Sequence, residues 1–123
     1  MKSNYSFENR ENYLYLKITG KYDFQDALDY LFLALEECKK ENQDKLVVDM
    51  LGMEGTAISA IERFQFGEKV AEVIKYQVKV AIVFPKEDIN KLVETVALNR
   101  GANFAVFGDQ NTAVEWLLKD NCK

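Results

Sequence analysis

The clearest pattern of hydrophobic and polar positions in this sequence lies between residues 78 and 118. Two runs of β-forming residues, 78–84 and 103–107, are each followed by a segment with apolar residues at helical spacing. The apolar positions are Ile89, Leu92, Val93, Val96 and Ala97 in the first segment, and Ala113, Trp116 and Leu117 in the second. The pattern predicts strand, helix, strand, helix.

The N-terminal half predicts a hairpin, a helix and a third strand. Residues 5–10 and 13–19 have the pattern of a β-hairpin. A helix is expected to begin near Asp23, with Tyr30 and Leu33 on its charged side. Its apolar face consists of Phe24, Leu28, Leu31, Leu35 and Cys38. Residues 45–49 predict a buried parallel strand, and a loop at 52–56 leads into the second helix.

The second helix, predicted for residues 59–76, is apolar on two sides. The predicted inward face consists of Ile61, Phe64, Ala71 and Ile74. A second strip, Phe66, Val70 and Val73, lies roughly 100–180° away around the helix. This strip is either wedged between the sheet and a neighbouring helix or exposed for a ligand, a membrane or a second subunit.

The order of the predicted elements is β-β-α-β-α-β-α-β-α. Strands that alternate with helices indicate an α/β fold with a mainly parallel sheet, here of about five strands. The N-terminal hairpin adds one antiparallel strand to this sheet. Because the chain has 123 residues and no linker or repeat, residues 1–123 are predicted to form a single domain with four helices.

Composition and charge exclude several classes of function. The net charge of −4 and the lack of a basic tract argue against nucleic-acid binding, because contacts with phosphates need clustered lysine or arginine. No apolar run approaches the roughly 18–20 residues that span a bilayer. The N-terminal residues lack the hydrophobic region of a signal peptide. A cytoplasmic location without a transmembrane segment is therefore expected.

The sequence also lacks the residues of common catalytic and metal sites. It contains no histidine, which excludes histidine-based acid–base chemistry, triads and zinc ligation. Cys38 and Cys122 form no CxxC pair, and Cys38 falls on the apolar face of the first helix. Asp49 ends a strand, but the sequence pairs no second carboxylate with it. We therefore expect no enzymatic activity, no metal and no cofactor.

Three short motifs lie in the C-terminal part of the chain: Asn99-Arg100-Gly101-Ala102, Val106-Phe107-Gly108-Asp109 and Ala113-Val114-Glu115-Trp116-Leu117. They resemble the C-terminal end of STAS-like domains, and the group that they resemble most is the SpoIIAA-like one. Gly20, the helix at 23–43 and the strand before Asp49 fit the same pattern. The resemblance covers nearly the whole chain and implies an architecture related to the lipid-binding CRAL-TRIO (Sec14-like) fold. Because these motifs are packing and capping signals, they indicate the fold more strongly than the function.

Ser59 has two interpretations. In anti-sigma-factor antagonists of this family, the loop after the third strand ends in an Asp-Ser-Ser/Thr-Gly motif that a partner kinase phosphorylates. The matching stretch here is Ala57-Ile58-Ser59-Ala60, so the resemblance implies Ser59 as phospho-acceptor, without the Asp and Gly of the motif. Ser59 followed by Glu62 is also the pattern of a helix capping box, which is the interpretation that we favour.

Two kinds of function stay open. The resemblance to the SpoIIAA-like group implies a regulatory module that binds a small apolar or lipid-like ligand or a membrane surface. The alternative is a protein-interaction module similar to an anti-sigma-factor antagonist, and a homodimer is compatible with either. Ligands of open α/β sheets bind beyond the carboxyl ends of the strands, here after Asp49 and beside the turns at 85–87 and 108–111. The predicted site consists of Met53, Thr56, Ser59, Arg63, Phe66, Val70 and Val73.

Overall fold

A five-stranded mixed sheet lies at the centre of the computed structural model, which describes residues 4–74, 78–100 and 102–119. The strands are β1 (Asn4–Asn9), β2 (Leu14–Lys21), β3 (Lys45–Glu54), β4 (Lys79–Val83) and β5 (Phe104–Phe107). They lie side by side in chain order, and β1 is antiparallel to β2 while the other neighbours are parallel. The predicted α/β class and the antiparallel N-terminal strand are confirmed.

Helices cover both faces of the sheet. They are α1 (Phe24–Lys40), α2 (Ala60–Ile74), α3 (Leu92–Asn99) and α4 (Gln110–Leu118), with a 3-10 turn, Lys86–Asp88, before α3. The first three pack on the face that carries the main core, and α4 covers the other face. Successive side chains of β3 point to opposite faces of the sheet. Leu46 and Val48 therefore pack in the main core, and Val47 packs on the side of α4. No helix among the described residues combines the length and hydrophobicity that crossing a membrane requires.

Helix α1 begins and packs largely as predicted. The Asp23 carboxylate caps it by accepting a hydrogen bond from the Asp26 N–H at 3.1 Å. Cys38 is buried, and this burial raises the pKa of its thiol to about 11. The predicted position of Tyr30 on the charged side is wrong, because Tyr30 is only 2% exposed and its ring centroid lies 5.3 Å from that of Tyr5 on β1. This contact comes from strand β1, so the spacing of apolar residues along the helix cannot predict it.

Two element boundaries differ from the prediction. Strand β3 continues through the expected loop to Glu54. Its pairing with β4 ends at Asp49, but its pairing with β2 continues to Lys21 and keeps the extension in the sheet. The third helix begins at Leu92 and not near Ile89, since the 3-10 turn intervenes and Asn90 Oδ1 accepts the Leu92 N–H at 3.0 Å. Cys122 and the side chain of Ala97 lie outside the described part of the chain.

Candidate binding site on helix α2

Helix α2 presents a different face to the core from the one predicted. Val70 is fully buried, and Phe66 and Val73 are half-buried against the main core. In contrast, Ile61 and Phe64 are 71% and 42% exposed. The predicted inward face is therefore wrong for Ile61 and Phe64, and the second apolar strip lies on the core side of the helix.

Gly67 accounts for this orientation. A Cβ added to Gly67 would lie 2.8 Å from the Cβ of Val96 and 3.0 Å from the carbonyl oxygen of Val93, both on α3. The two helices therefore approach each other closely along the side of α2 that carries Gly67. Ala71 and Ile74 are buried as predicted, since they lie near the same side.

Buried polar groups tie the loop before α2 to the 3-10 turn. The Thr56 hydroxyl donates to the Asp88 carboxylate at 2.6 Å. Arg63 is only 7% exposed, and its Nη2 donates to the Asp88 carbonyl at 2.7 Å while its Nε donates to the Ile58 carbonyl at 2.9 Å. Thr56 and Arg63, both predicted as site residues, thus meet at Asp88 and hold the entrance to α2 in place.

Ser59 caps α2, as the favoured interpretation predicts. Its Oγ accepts a hydrogen bond from the Glu62 N–H at 3.2 Å, and its carbonyl accepts one from the Arg63 N–H at 3.0 Å. The described residues show no return bond from the Ser59 N–H to the Glu62 carboxylate, so half of the capping box is formed. The Ser59 side chain is exposed.

Ser59→Ala is expected to lower the free energy of unfolding by about 0.5–2 kcal/mol, because an N–H in the first turn loses its acceptor. Urea denaturation measures the change, and Ser59→Asn, which keeps a capping oxygen, is the matched control. Unchanged stability of the alanine variant would show that the cap contributes nothing. Stoichiometric phosphate on Ser59 in protein isolated from its host would refute a role limited to capping.

An apolar cleft lies between α2 and the sheet. It encloses about 50 Å³, and a second cavity of about 20 Å³ shares Phe66, Met50 and Ile82 with it. The polar residues in the lining of the cleft are Tyr22, Glu62, Arg63 and Asn90. Burial, followed by the nearby charge of Glu62, raises the pKa of Tyr22 to about 12. The cleft thus combines hydrophobic walls with a small number of polar groups, as ligand sites commonly do.

The predicted site residues divide into four groups, one of which is Thr56 alone, hydrogen-bonded to Asp88. Arg63 and Phe66 line the cleft. Met53, Val70 and Val73 belong to the main core or pack against it. Ser59 is at the surface. Of the predicted set, only Arg63 and Phe66 line the same cavity. The binding role of the set stays a prediction.

Asp49 lies on the opposite face of the sheet, beneath the α4 layer. The Tyr15 hydroxyl donates to its Oδ2, and the Leu51 N–H donates to its Oδ1 at 3.1 Å. Burial and the hydrogen bond to Asp49 raise the pKa of Tyr15 to about 12. Both carboxylate oxygens of Asp49 therefore serve the structure, and the residue takes no part in the cleft.

A second surface feature, absent from the sequence prediction, lies on the outer side of α2. We define the α2 patch as Ile61, Phe64, Glu68 and Arg100. Ile61 and Phe64 are neighbours at i and i+3. The Arg100 guanidinium carbon is 5.7 Å from the centroid of the Phe64 ring, and its Nη2 is 3.2 Å from the Glu68 carboxylate. An exposed apolar centre is thus bordered by an ion pair.

The family of this chain is decided by a comparison that spans most of its fold. The SpoIIAA-like family model matches residues 13–118, a range that includes β2 to β5 and all of α1 and α2. The chain belongs to the SpoIIAA-like family.

Two solved structures are similar to this SpoIIAA-like chain. The crystal structure of an anti-sigma factor antagonist from Mycobacterium paratuberculosis is 13% identical over 95% of each chain, with a TM-score of 0.64. An uncharacterized protein with a SpoIIAA-like fold from Shewanella loihica PV-4 is 20% identical over 94% of this chain and 93% of that chain, with a TM-score of 0.48. No curated protein matches the sequence.

Proposed function

We propose that this SpoIIAA-like chain is a non-enzymatic regulatory module of the cytoplasm that binds a protein partner through the α2 patch. Its role would be similar to that of an anti-sigma-factor antagonist. The observation that carries the proposal is the exposure of Ile61 and Phe64, at 71% and 42%, one turn apart on a single helix. Contiguous exposed apolar surface marks interaction sites more often than isolated apolar residues do.

The arrangement of the α2 patch supports this function. The other exposed large apolar residues that are described come from four different elements: Tyr5, Phe32, Leu51 and Leu118. Ile61 and Phe64 alone among them share a helix face, and the Arg100–Glu68 pair lies at their border. An apolar centre with a polar rim, containing aromatic and arginine side chains, is the usual composition of a protein interface.

The position of Ser59 and the fold give further support. Ser59 is exposed at the N-terminus of α2, two residues before Ile61. The N-terminus of a helix favours negative charge, so a phosphate on Ser59 would be tolerated there and would alter the surface beside the patch. The similar structure from Mycobacterium paratuberculosis is named as an antagonist of an anti-sigma factor. The partner that we propose is a regulatory protein of the kind that such an antagonist binds, an anti-sigma factor.

The test uses a double variant, Ile61→Ser with Phe64→Ser, and Phe32→Ser as the matched control. Phe32 is 52% exposed on α1, outside the patch. The native chain and the control are expected to capture the same protein from host extract, and the double variant is expected to bind that purified protein at least tenfold more weakly by calorimetry. Because all three residues are exposed, each change should alter stability by only about 0.5 kcal/mol.

Two outcomes would contradict this proposal. Equal binding of the partner by the native chain and the double variant would remove the α2 patch from the interface. Sedimentation that shows a native dimer and a monomeric double variant would assign the patch to a second copy of this chain and not to a different protein.

A second candidate function is the binding of a small ligand with an apolar part. The specific observation in its favour is the mainly apolar cleft beneath α2. Protein interiors normally contain few voids larger than a water molecule, so a cleft of this size is a candidate ligand site. This candidate is independent of the α2 patch, because neither Ile61 nor Phe64 lines the cleft.

A further inference from the structure

We propose that two copies of this chain pair through the open edge of β1 and form one continuous sheet. Strand β1 lies at one end of the sheet, so only β2 pairs with it in the described structure. In the proposed dimer, β1 of one copy lies antiparallel to β1 of the other copy about a two-fold axis. The proposal is independent of the α2 patch and of the cleft beneath α2, because no residue of β1 belongs to either.

The hairpin determines which backbone groups of β1 face the open edge. The Arg10 N–H donates to the Tyr13 carbonyl at 2.9 Å, which makes Arg10 and Tyr13 a hydrogen-bonded pair. Such pairs alternate with non-hydrogen-bonded ones along an antiparallel ladder, and the register between β1 and β2 is continuous. Glu8 and Ser6 continue the hydrogen-bonded series, so their backbone groups point to β2. The residues whose N–H and carbonyl groups point to the open edge are Tyr5, Phe7 and Asn9.

The open edge of β1 is accessible and lacks the usual protection against strand pairing. All residues of β1 are exposed except Phe7, which is half-buried. Among the described residues, no backbone hydrogen bond outside the sheet involves Tyr5, Phe7 or Asn9. Edge strands commonly avoid pairing through a lysine, a proline or a bulge, and β1 has none of these. The strand at the opposite end, β5, has only four residues and offers a shorter ladder.

A two-fold axis at Phe7 forms the most hydrogen bonds between two β1 strands. In this register Phe7 lies opposite Phe7 of the second copy, and Tyr5 lies opposite Asn9 of the second copy on each side of the axis. Each of these pairs exchanges two hydrogen bonds, so every outward N–H and carbonyl group from Tyr5 to Asn9 has a partner. An axis at Ser6 would pair only Tyr5 with Phe7 and would form fewer hydrogen bonds within β1.

The charges of β1 are compatible with the register centred on Phe7. Glu8 is the one charged residue of the strand, and it would lie opposite Ser6 of the second copy. Its carboxylate is 3.0 Å from the Arg10 Nη2 of the same chain, which neutralises the edge locally. No like charges would therefore face each other directly across the interface.

The aromatic residues beside the edge favour the same register. The ring centroids of Tyr5 and Phe7 are 5.8 Å apart in an edge-to-face arrangement, and Tyr5 also contacts Tyr30 of α1. Tyr5 is nevertheless 45% exposed. Pairing about Phe7 would bring the two aromatic clusters together across the axis, because diagonal neighbours on one face of a sheet are within reach of aromatic side chains. The dimer would thus cover apolar surface that a single copy leaves in water.

The first test compares two variants of Tyr5 by sedimentation equilibrium. Tyr5→Pro removes the ring and the outward N–H, whereas the matched control Tyr5→Thr removes the ring and keeps the N–H in a residue that favours strands. The native chain is expected to form a dimer, and the dissociation constant of Tyr5→Pro is expected to be at least tenfold higher than that of Tyr5→Thr. The reason is that proline removes one hydrogen bond at each end of the symmetric interface.

Three sedimentation results would overturn the proposal. The first is a native chain that is monomeric up to millimolar concentration. The second is equal dissociation constants for Tyr5→Pro and Tyr5→Thr. The third is a monomeric double variant Ile61→Ser with Phe64→Ser, which would move the contact between copies to the α2 patch. A double variant that stays dimeric keeps the two surfaces separate, as we expect.

Amide hydrogen exchange of the native chain, measured by NMR, locates the interface without a variant and so decides the case even if Tyr5→Pro does not fold. In dilute solution the N–H groups of Ser6 and Glu8 are expected to be protected, while those of Tyr5, Phe7 and Asn9 exchange freely. At concentrations where the dimer forms, the N–H groups of all these residues should be protected. Fast exchange at Phe7 in a dimeric sample would show that the copies meet elsewhere.

Discussion

Leu46→Ala is expected to lower the free energy of unfolding of the ligand-free chain by about 2–5 kcal/mol, and Phe66→Ala by only about 1–2 kcal/mol. Leu46 is fully buried in the main core and lines neither cavity. The larger Phe66 ring is half-buried and borders both cavities, so part of its surface has no packing contacts to lose. The bigger deletion should therefore have the smaller effect.

Urea denaturation of the two variants measures this difference. A loss of about 3–5 kcal/mol for Phe66→Ala would identify the ring as an ordinary core residue. That outcome would contradict the proposal that α2 covers a ligand-binding cavity.

Gly67→Ala is expected to destabilise the chain by about 1–3 kcal/mol, although alanine is about 1 kcal/mol better than glycine in a helix interior. The new Cβ would lie 2.8 Å from the Cβ of Val96 and 3.0 Å from the Val93 carbonyl oxygen. Neither atom is the end of a flexible side chain, so α2 and α3 must separate to make room. The overpacking cost is expected to exceed the gain in helix propensity.

An exposed position of the same helix provides the control. Gln65 is exposed, and replacing it by alanine and by glycine measures the propensity difference without a contact to α3. Gln65→Ala should be the more stable of these two variants by about 1 kcal/mol, the reverse of the order expected at position 67. If alanine is also more stable than glycine at position 67, α3 can move to make room for the methyl group. The contact with α3 would then not set the rotation of α2.

Local signals predicted the framework of the fold correctly. The β-forming runs at 45–49, 78–84 and 103–107 all contain strands, because a buried parallel strand is apolar throughout its length. Asp23 and Ser59 cap helices as expected, since a cap depends on residues only a few positions apart. The motifs that resembled a SpoIIAA-like domain point to the family that the match over 13–118 shows.

The candidate site was predicted less well. Apolar periodicity placed Ile61 and Phe64 inward and missed the α2 patch, because hydrophobicity indicates how many apolar faces a helix has but not which neighbour each face meets. Arg63 was among the predicted site residues, yet its contact with Asp88 joins segments that are 25 positions apart and that no local pattern relates. The same limit applies to Tyr30, whose partner Tyr5 lies on another strand.

The sequence by itself determined the class of fold, the order of the strands and helices along the chain, and the capping residues. These follow from periodicity and from short-range hydrogen bonding, which involve residues close together in the chain. The tertiary structure alone decided the rotation of α2, the burial of Arg63 and the cleft beside Phe66. Each of these depends on a contact between distant segments, above all the close approach of Gly67 to α3, where the missing side chain is the feature that matters.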